Sequence, residues 1–193
     1  MRVSKQAAAE NRQRILTAAA RLFREHGIDG AGVDAITAAA GLTHGAFYSQ
    51  FKSKEAVVAE SLRLSLDQSR ELLPRDASGD DKSDALELVI DSYLSRRHRD
   101  SPGEGCVVAA VGSDIARQPK KVRHVFTKTL EENLEVLAKL FPATTATRRS
   151  DEAIRNFSAM VGAIILARAV DDEGLSRRIL KTVAEGLKGT TPG

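Results

Sequence analysis

Val33-Asp34-Ala35-Ile36-Thr37-Ala38-Ala39-Ala40-Gly41-Leu42-Thr43-His44-Gly45-Ala46-Phe47-Tyr48-Ser49-Gln50-Phe51 is the stretch that decides the fold. It reads as two short helices, about Val33–Ala40 and His44–Gln50, separated by a turn at Gly41, which is the pattern of a helix-turn-helix. Gly41 stands where the tight turn needs a left-handed backbone. Ile36, Ala40, Leu42 and Phe47 fall on the inward sides and fix the angle between the helices, while Ala39 and Ala40 are small enough for close approach. Thr43 is the expected N-cap of the second helix and leaves its first N–H groups directed at a phosphate. His44, Gly45, Tyr48 and Ser49 then make a small polar face, as a base-reading surface requires.

Outward from this stretch the chain reads as helix almost throughout, with abundant alanine and no sustained period-two alternation. A first helix is expected from about Glu10 to His26, with Ile15, Ala18, Ala19, Leu22 and Phe23 on one buried face and Gly27 ending it. A fourth helix should start after Ser53, a candidate N-cap, and stop near Leu73 before Pro74. A polar loop at 74–82 precedes a helix carrying Leu86, Val89, Ile90, Tyr93 and Leu94, which Asp100-Ser101-Pro102-Gly103 breaks. Further helices are expected over about Gly105–Gln118, from Pro119 to Phe141, from Ser150 or Asp151 onward, and over Leu175–Lys188. The expected fold class is all-α with about nine helices. There are two domains in this reading: residues 1–54 as a three-helix helix-turn-helix module and 55–193 as a larger helical domain.

The charge distribution agrees with a nucleic-acid partner. Net charge is only +3, but residues 1–54 carry Arg2, Lys5, Arg12, Arg14, Arg21, Arg24, Lys52 and Lys54 against Glu10, Glu25, Asp29 and Asp34, and the rest of the 193-residue chain is nearly neutral. The single cysteine, Cys106, excludes an intrachain disulfide framework and fits a reducing cytoplasm. The N-terminal charges have no apolar run behind them, so no secretory signal is read. The longest apolar stretch, Met160–Ala167, is too short to cross a bilayer, and no membrane association is expected.

The flanks make the helix-turn-helix specific. Arg14, Ile15, Leu16, Ala18, Ala19, Leu22, Phe23 and Gly27 precede it, and Phe51-Lys52-Ser53-Lys54-Glu55 follows. With the run Ala40-Gly41-Leu42-Thr43 followed by Gly45, Phe47, Tyr48, Phe51, Lys54 and Glu55, the chain over about residues 10–60 resembles the N-terminal domain of the TetR (tetracycline-repressor) family of bacterial regulators. The resemblance implies that Thr43 and Tyr48 hold phosphates and in part bases, and that Gly45 lets the backbone approach the groove. By the same resemblance His44, Ser49 and Gln50 read base edges, Lys54 contacts a phosphate and Thr37 lies on the helix crossing the backbone. Ser49-Gln50 departs from the bulkier aromatic or histidine often found just before the phenylalanine. That departure bears on which operator is preferred.

For residues 55–188 the resemblance implies a ligand-binding and dimerisation domain. The chain itself offers two long amphipathic helices joined by Asp171-Asp172-Glu173-Gly174, with Phe157, Val161, Ile164, Ile165, Ile179 and Val183 expected at a dimer interface built as a four-helix bundle. The apolar, small-residue segment Gly105–Ser113 could line a pocket for a small-molecule effector. Tyr93, His98, Cys106, Phe126 and Leu130 are the expected lining residues, and a stripe of this kind is more often core than ligand cage. The combined reading is a one-component regulator, a dimeric repressor of a palindromic operator on double-stranded DNA, released by an effector.

Other classes fit less well. Cys106 with His98 or His124 is the one nucleophile-plus-base set to consider, and no local signature or glycine-rich phosphate loop supports an enzyme. Four scattered histidines and one cysteine lack metal-ligand spacing, so no metal or cofactor is expected. A protein coating DNA regardless of sequence would need a broader basic surface than one localised segment.

Overall fold

The computed structural model describes residues 5–73, 81–142 and 145–189. Among these residues the chain is all-α, with ten helices and no strand: α1 (Lys5–Gly30), α2 (Val33–Ala39), α3 (His44–Gln50), α4 (Lys54–Glu71), α5 (Asp81–Tyr93), α6 (Arg96–Asp100), α7 (Val107–Ile115), α8 (Lys120–Ala138), α9 (Ala146–Ala169) and α10 (Glu173–Gly189). A single 3-10 turn, Pro102–Glu104, follows α6. Residues 74–80, most of the loop expected at 74–82, fall outside the described residues, whereas the stretch left between Phe141 and Ser150 is shorter than expected because α9 already begins at Ala146.

Several boundaries differ from the sequence expectation, each for a local reason. The first helix is already formed at Lys5, ahead of the expected Glu10, because Ala7-Ala8-Ala9 sustains it. Gly27 does break it, with φ +76°, and one more turn follows to Gly30. The helix expected to run to Asp100 is split, because Ser95 caps a separate α6 by accepting the His98 N–H at 3.1 Å. Cys106 occupies the N-cap of a shorter α7. Pro119 stands just before α8 rather than inside it, its carbonyl accepting the N–H groups of Val122 and Arg123 at 2.9 and 3.2 Å. The cap of α9 is Thr145, not Ser150 or Asp151, and its hydroxyl accepts the Arg148 N–H.

The chain divides into two compact units, residues 1–67 with 106–129, and residues 68–105 with 130–193. The first is wider than the 1–54 module read from the sequence, since α7 packs along α1 and the start of α8 joins the same core. Its centre is Ile15, Ala19, Phe23, Ile28, Ile36, Phe47, Val57, Leu62 and Val111, all essentially inaccessible. Asp114 of α7 accepts the Ile28 N–H at 3.0 Å, directly behind Gly27. A Cβ at Gly27 would lie 2.9 Å from that carboxylate, so glycine is required there by space as well as by φ.

The second unit is organised by the antiparallel α9–α10 pair, with α5 and α6 against it. Leu86, Ile90, Leu137, Leu140, Met160, Ile164 and Leu180 form its core. Arg99 is buried, donating to Glu173 at 2.9 Å, to Ser176 at 2.8 Å and to its neighbour Asp100 at 2.6 Å, so α6 is tied to the start of α10. Arg168 of α9 donates to the carbonyls of His98 and Arg99, capping the C-terminal end of α6. Asp172 accepts the Leu175 N–H and caps α10.

Candidate nucleic-acid interface

The α2–turn–α3 segment is held by its apolar side and open on its polar side. Ile36 and Phe47 are fully buried, and Phe51 closes the end of α3 with its ring 5.8 Å from that of Phe47. Gly41 makes the turn with φ +62°. Two arginines of α1 clamp this arrangement from behind. Arg14 donates to the Gly41 carbonyl at 3.2 Å. Arg12 donates to the Gln50 carbonyl at 2.6 Å, pairs with both carboxylate oxygens of Glu60 at 2.6 and 2.5 Å, and lies 4.1 Å over the Phe51 ring. One guanidinium therefore joins α1, the end of α3 and α4.

On the open side α3 presents His44, Gly45, Tyr48 and Ser49, all exposed, in one stripe. Tyr48 is 56 % exposed, with its ring 5.2 Å from both His44 and Phe47. The His44 ring is tethered from α2, its Nδ1 lying 2.5 Å from the Asp34 carboxylate. Ser49 donates back to the Ala46 carbonyl at 2.8 Å, and Gln50 is half-buried with its amide reaching Ser49. Thr43 has the extended backbone of an N-cap, but its hydroxyl makes no capping bond and stays at the surface. Lys54 opens α4 and is half-exposed, and Ser53 caps that helix by accepting the Ala56 N–H at 3.3 Å. Nothing lies within 4 Å of a Cβ added at Gly45, so this glycine leaves open space rather than relieving a contact.

Thr37 does not join this surface. It is 3 % exposed and its hydroxyl donates to the Val33 and Asp34 carbonyls at 3.0 Å. A threonine on the inner face of so short a helix satisfies its hydroxyl against the preceding turn, which removes it from the set of DNA-contacting side chains. Conversely, Arg12, Arg14 and Asp34 take part in this site although their sequence positions assign them no role in it. All three were visible as charges in the basic segment, but nothing in their spacing marks two as clamps and one as a partner of His44.

The five residues expected to line a pocket divide between the units. Tyr93, His98 and Leu130 belong to the second, and Cys106 and Phe126 to the first. Within the second unit Tyr93 and His98 are together, ring centroids 4.5 Å apart, with His98 Nδ1 donating to the Tyr93 carbonyl at 2.6 Å. Burial holds the His98 imidazole below its ordinary pKa; the Tyr93 carbonyl opposes that shift and Arg168 reinforces it. Gly105 faces this ring so closely that a Cβ would lie 2.6 Å from it.

Of the expected interface residues, Ile165 is exposed at 45 %, and Phe157, Val161, Ile179 and Val183 are half-buried. Ile164 is fully buried in its own chain and has no surface to offer a partner, because the core of the second unit claims that side of α9. Ile154, Leu166 and Leu175 are exposed large apolar residues absent from the expected set. Among the described residues no helix is long and apolar enough to cross a membrane.

The comparisons with known proteins agree with this geometry. Residues 15–60 match the family of bacterial regulatory proteins called the tetR family. The HTH-type transcriptional regulator AcrR of Shigella flexneri is 31 % identical over 173 residues, covering 81 % of this chain and 78 % of that protein. A TetR-family transcriptional regulator from Cytophaga hutchinsonii superimposes with a TM-score of 0.77 at 19 % identity over the full length of both chains. Another from Agrobacterium tumefaciens gives 0.74 at 18 % identity, over 93 % of this chain and 98 % of that one. With its helix-turn-helix, its all-helical fold and relatives that are regulators rather than enzymes, this chain belongs to the TetR family of DNA-binding transcriptional regulators.

Proposed function

We propose that this regulator is a cytoplasmic homodimeric repressor that reads a palindromic operator through α3 and leaves it when a small-molecule effector binds. In this reading residues 1–54 carry the DNA contacts, and residues 55–193 carry sensing and dimerisation. Thr43, Tyr48 and Lys54 hold phosphates while His44, Ser49 and Gln50 face base edges. The carrying observation is α3, in which Phe47 is fully buried and His44, Gly45, Tyr48 and Ser49 form an exposed polar stripe opposite it.

The dimer rests on α9. Its core-facing side is Ala153, Asn156, Met160, Ala163, Ile164 and Ala167. A second apolar stripe, Ile154, Val161 and Ile165 with the small Ser158, Gly162 and Ala169 among them, runs along roughly the opposite side at helical spacing. A helix apolar on two sides covers its own core with one and a second copy with the other. Two such pairs form a four-helix bundle and set the two α3 helices about one turn of DNA apart, roughly 34–36 Å. An effector with different affinity for two states of the dimer then shifts the population away from that spacing. Tyr93, His98 and Leu130 are the proposed effector contacts in the second unit.

Selection of tightly bound fragments from genomic DNA at physiological salt tests this. Enrichment of one short inverted repeat is the expected result. Binding that falls with salt and shows no preferred site would replace the proposal with a sequence-independent DNA binder.

A further inference from the structure

We propose that Asp34 is a positioning residue for base reading: it holds the His44 ring so that Nε2 faces an exocyclic amino group, of adenine or cytosine, in the major groove. This rests on the DNA-reading role proposed for α3. Nδ1 of His44 lies 2.5 Å from Oδ1 of Asp34. Two acceptors repel at that separation, so Nδ1 carries the proton and donates it to the carboxylate. In the neutral ring the remaining Nε2 is then an acceptor, and the donors that the major groove offers are adenine N6 and cytosine N4. Tyr48 lies beside the ring, centroids 5.2 Å apart, so its azimuth is set before DNA arrives, and in the neutral ring Asp34 selects the tautomer with Nε2 unprotonated.

The fold has little need of this bond. The side chains of His44 and Asp34 are 56 % and 89 % exposed, and a pair that open to water contributes little to stability. Asp34 also places a negative charge on the face that meets phosphates, which weakens DNA binding in general. A carboxylate that lowers general affinity while orienting a base-reading ring is the signature of a specificity device. The spacing is reliable because Asp34 sits in the first turn of α2 and His44 begins α3, with Ile36 and Phe47 fully buried between those helices.

The test is selection from a random-sequence DNA pool at neutral pH by the full chain, by Asp34→Ala, Asp34→Asn and His44→Ala, and by the Asp34→Ala/His44→Ala double variant. Folding is verified by circular dichroism. The wild-type chain is expected to prefer adenine or cytosine at one position of each half-site by about tenfold. Asp34→Asn, which keeps an acceptor for Nδ1–H, should retain that preference. Asp34→Ala should lose it, to the same extent as His44→Ala and as the double variant, while binding random DNA at least as tightly as wild type. The proposal is overturned by retained preference in Asp34→Ala, by loss in a folded Asp34→Asn, by additive losses in the double variant, or by a guanine preference that His44→Ala removes. A wild-type chain that selects no site overturns this inference together with the DNA-reading proposal. A selected operator insensitive to Asp34 overturns this one alone.

Discussion

Around α2 and α3 the unusual positions find their reasons inside the chain, Gly45 on the outward stripe excepted, whereas along α9 they do not. Gly27 and Gly41 have left-handed backbone, and each faces a side chain from elsewhere in its own unit, Asp114 and Arg14. Arg12 is engaged on three sides. On α9, by contrast, Ile165 and Leu166 are about half exposed, and a Cβ at Gly162 would meet nothing within 4 Å. A mid-helix glycine with empty space around it costs helix stability and returns nothing to its own chain. The first region is complete as a packed object and open only where its polar stripe faces outward. The second leaves apolar and small residues uncovered, the types that the second copy proposed above would cover.

That contrast can be broken by matched substitutions. Phe47→Ala removes a ring with no exposure from the core of the reading head, and should lower unfolding stability by about 3–5 kcal/mol in urea denaturation. Ile165→Glu should leave helicity and monomer stability nearly intact, because the side chain is 45 % exposed. It should convert the dimer to monomer in sedimentation and weaken operator binding about a hundredfold, since two half-sites no longer act together. If Ile165→Glu stays dimeric, the second apolar stripe of α9 is not the interface and its exposed residues are left without a cover.

A glycine pair sharpens the same point with smaller effects. Gly41→Ala forces a side chain into φ +62° and brings its Cβ 2.8 Å from the Arg14 guanidinium, so a loss of about 1–2 kcal/mol is expected in unfolding titrations. Gly162→Ala should stabilise the isolated helix by up to about 1 kcal/mol through propensity alone. In a close-packed dimer the same methyl group intrudes on the partner, so dissociation should move to higher protein concentration. Opposite signs for monomer stability and dimer affinity are the expected pattern. A gain in both would mean that nothing approaches α9 closely at Gly162.

The reading head was legible from the sequence because its constraints are local. The turn glycine, the inward Ile36 and Phe47 and the polar stripe of α3 all follow from spacing within nineteen residues, Val33 to Phe51. Thr37 misled for the same reason: its place in the motif suggested DNA contact, while the helix turns its hydroxyl back on Val33. Arg12 pairs with Glu60 across the unit, and such long-range partners leave no periodic trace. On α9 the periodicity was clear but served two masters. Ile164 and Ile165 are adjacent, and only the packed structure shows that the first belongs to the chain's own core and the second to the surface.

The second unit carries a pH-sensitive contact at His98. Burial lowers the pKa of the His98 imidazole, reinforced by Arg168, while its Nδ1–H serves the Tyr93 carbonyl. Its folded pKa is depressed, so the unfolded chain binds the proton more readily. The native state therefore loses stability as pH falls below the unfolded value, about 6.5, toward the lower native value, and gains nothing from this residue above that range. His98→Asn keeps a donor near the Tyr93 carbonyl and removes the titration. Thermal unfolding of the wild-type chain should shift downward between neutral and mildly acidic pH, and the variant should shift less. If the two profiles are parallel, His98 is not held neutral by the fold, and acid sensitivity must arise elsewhere. If they diverge in the opposite direction, with the variant more acid-sensitive, the charged form is the one the native state favours, and the pairing of His98 with Arg168 and Tyr93 must be rearranged in solution.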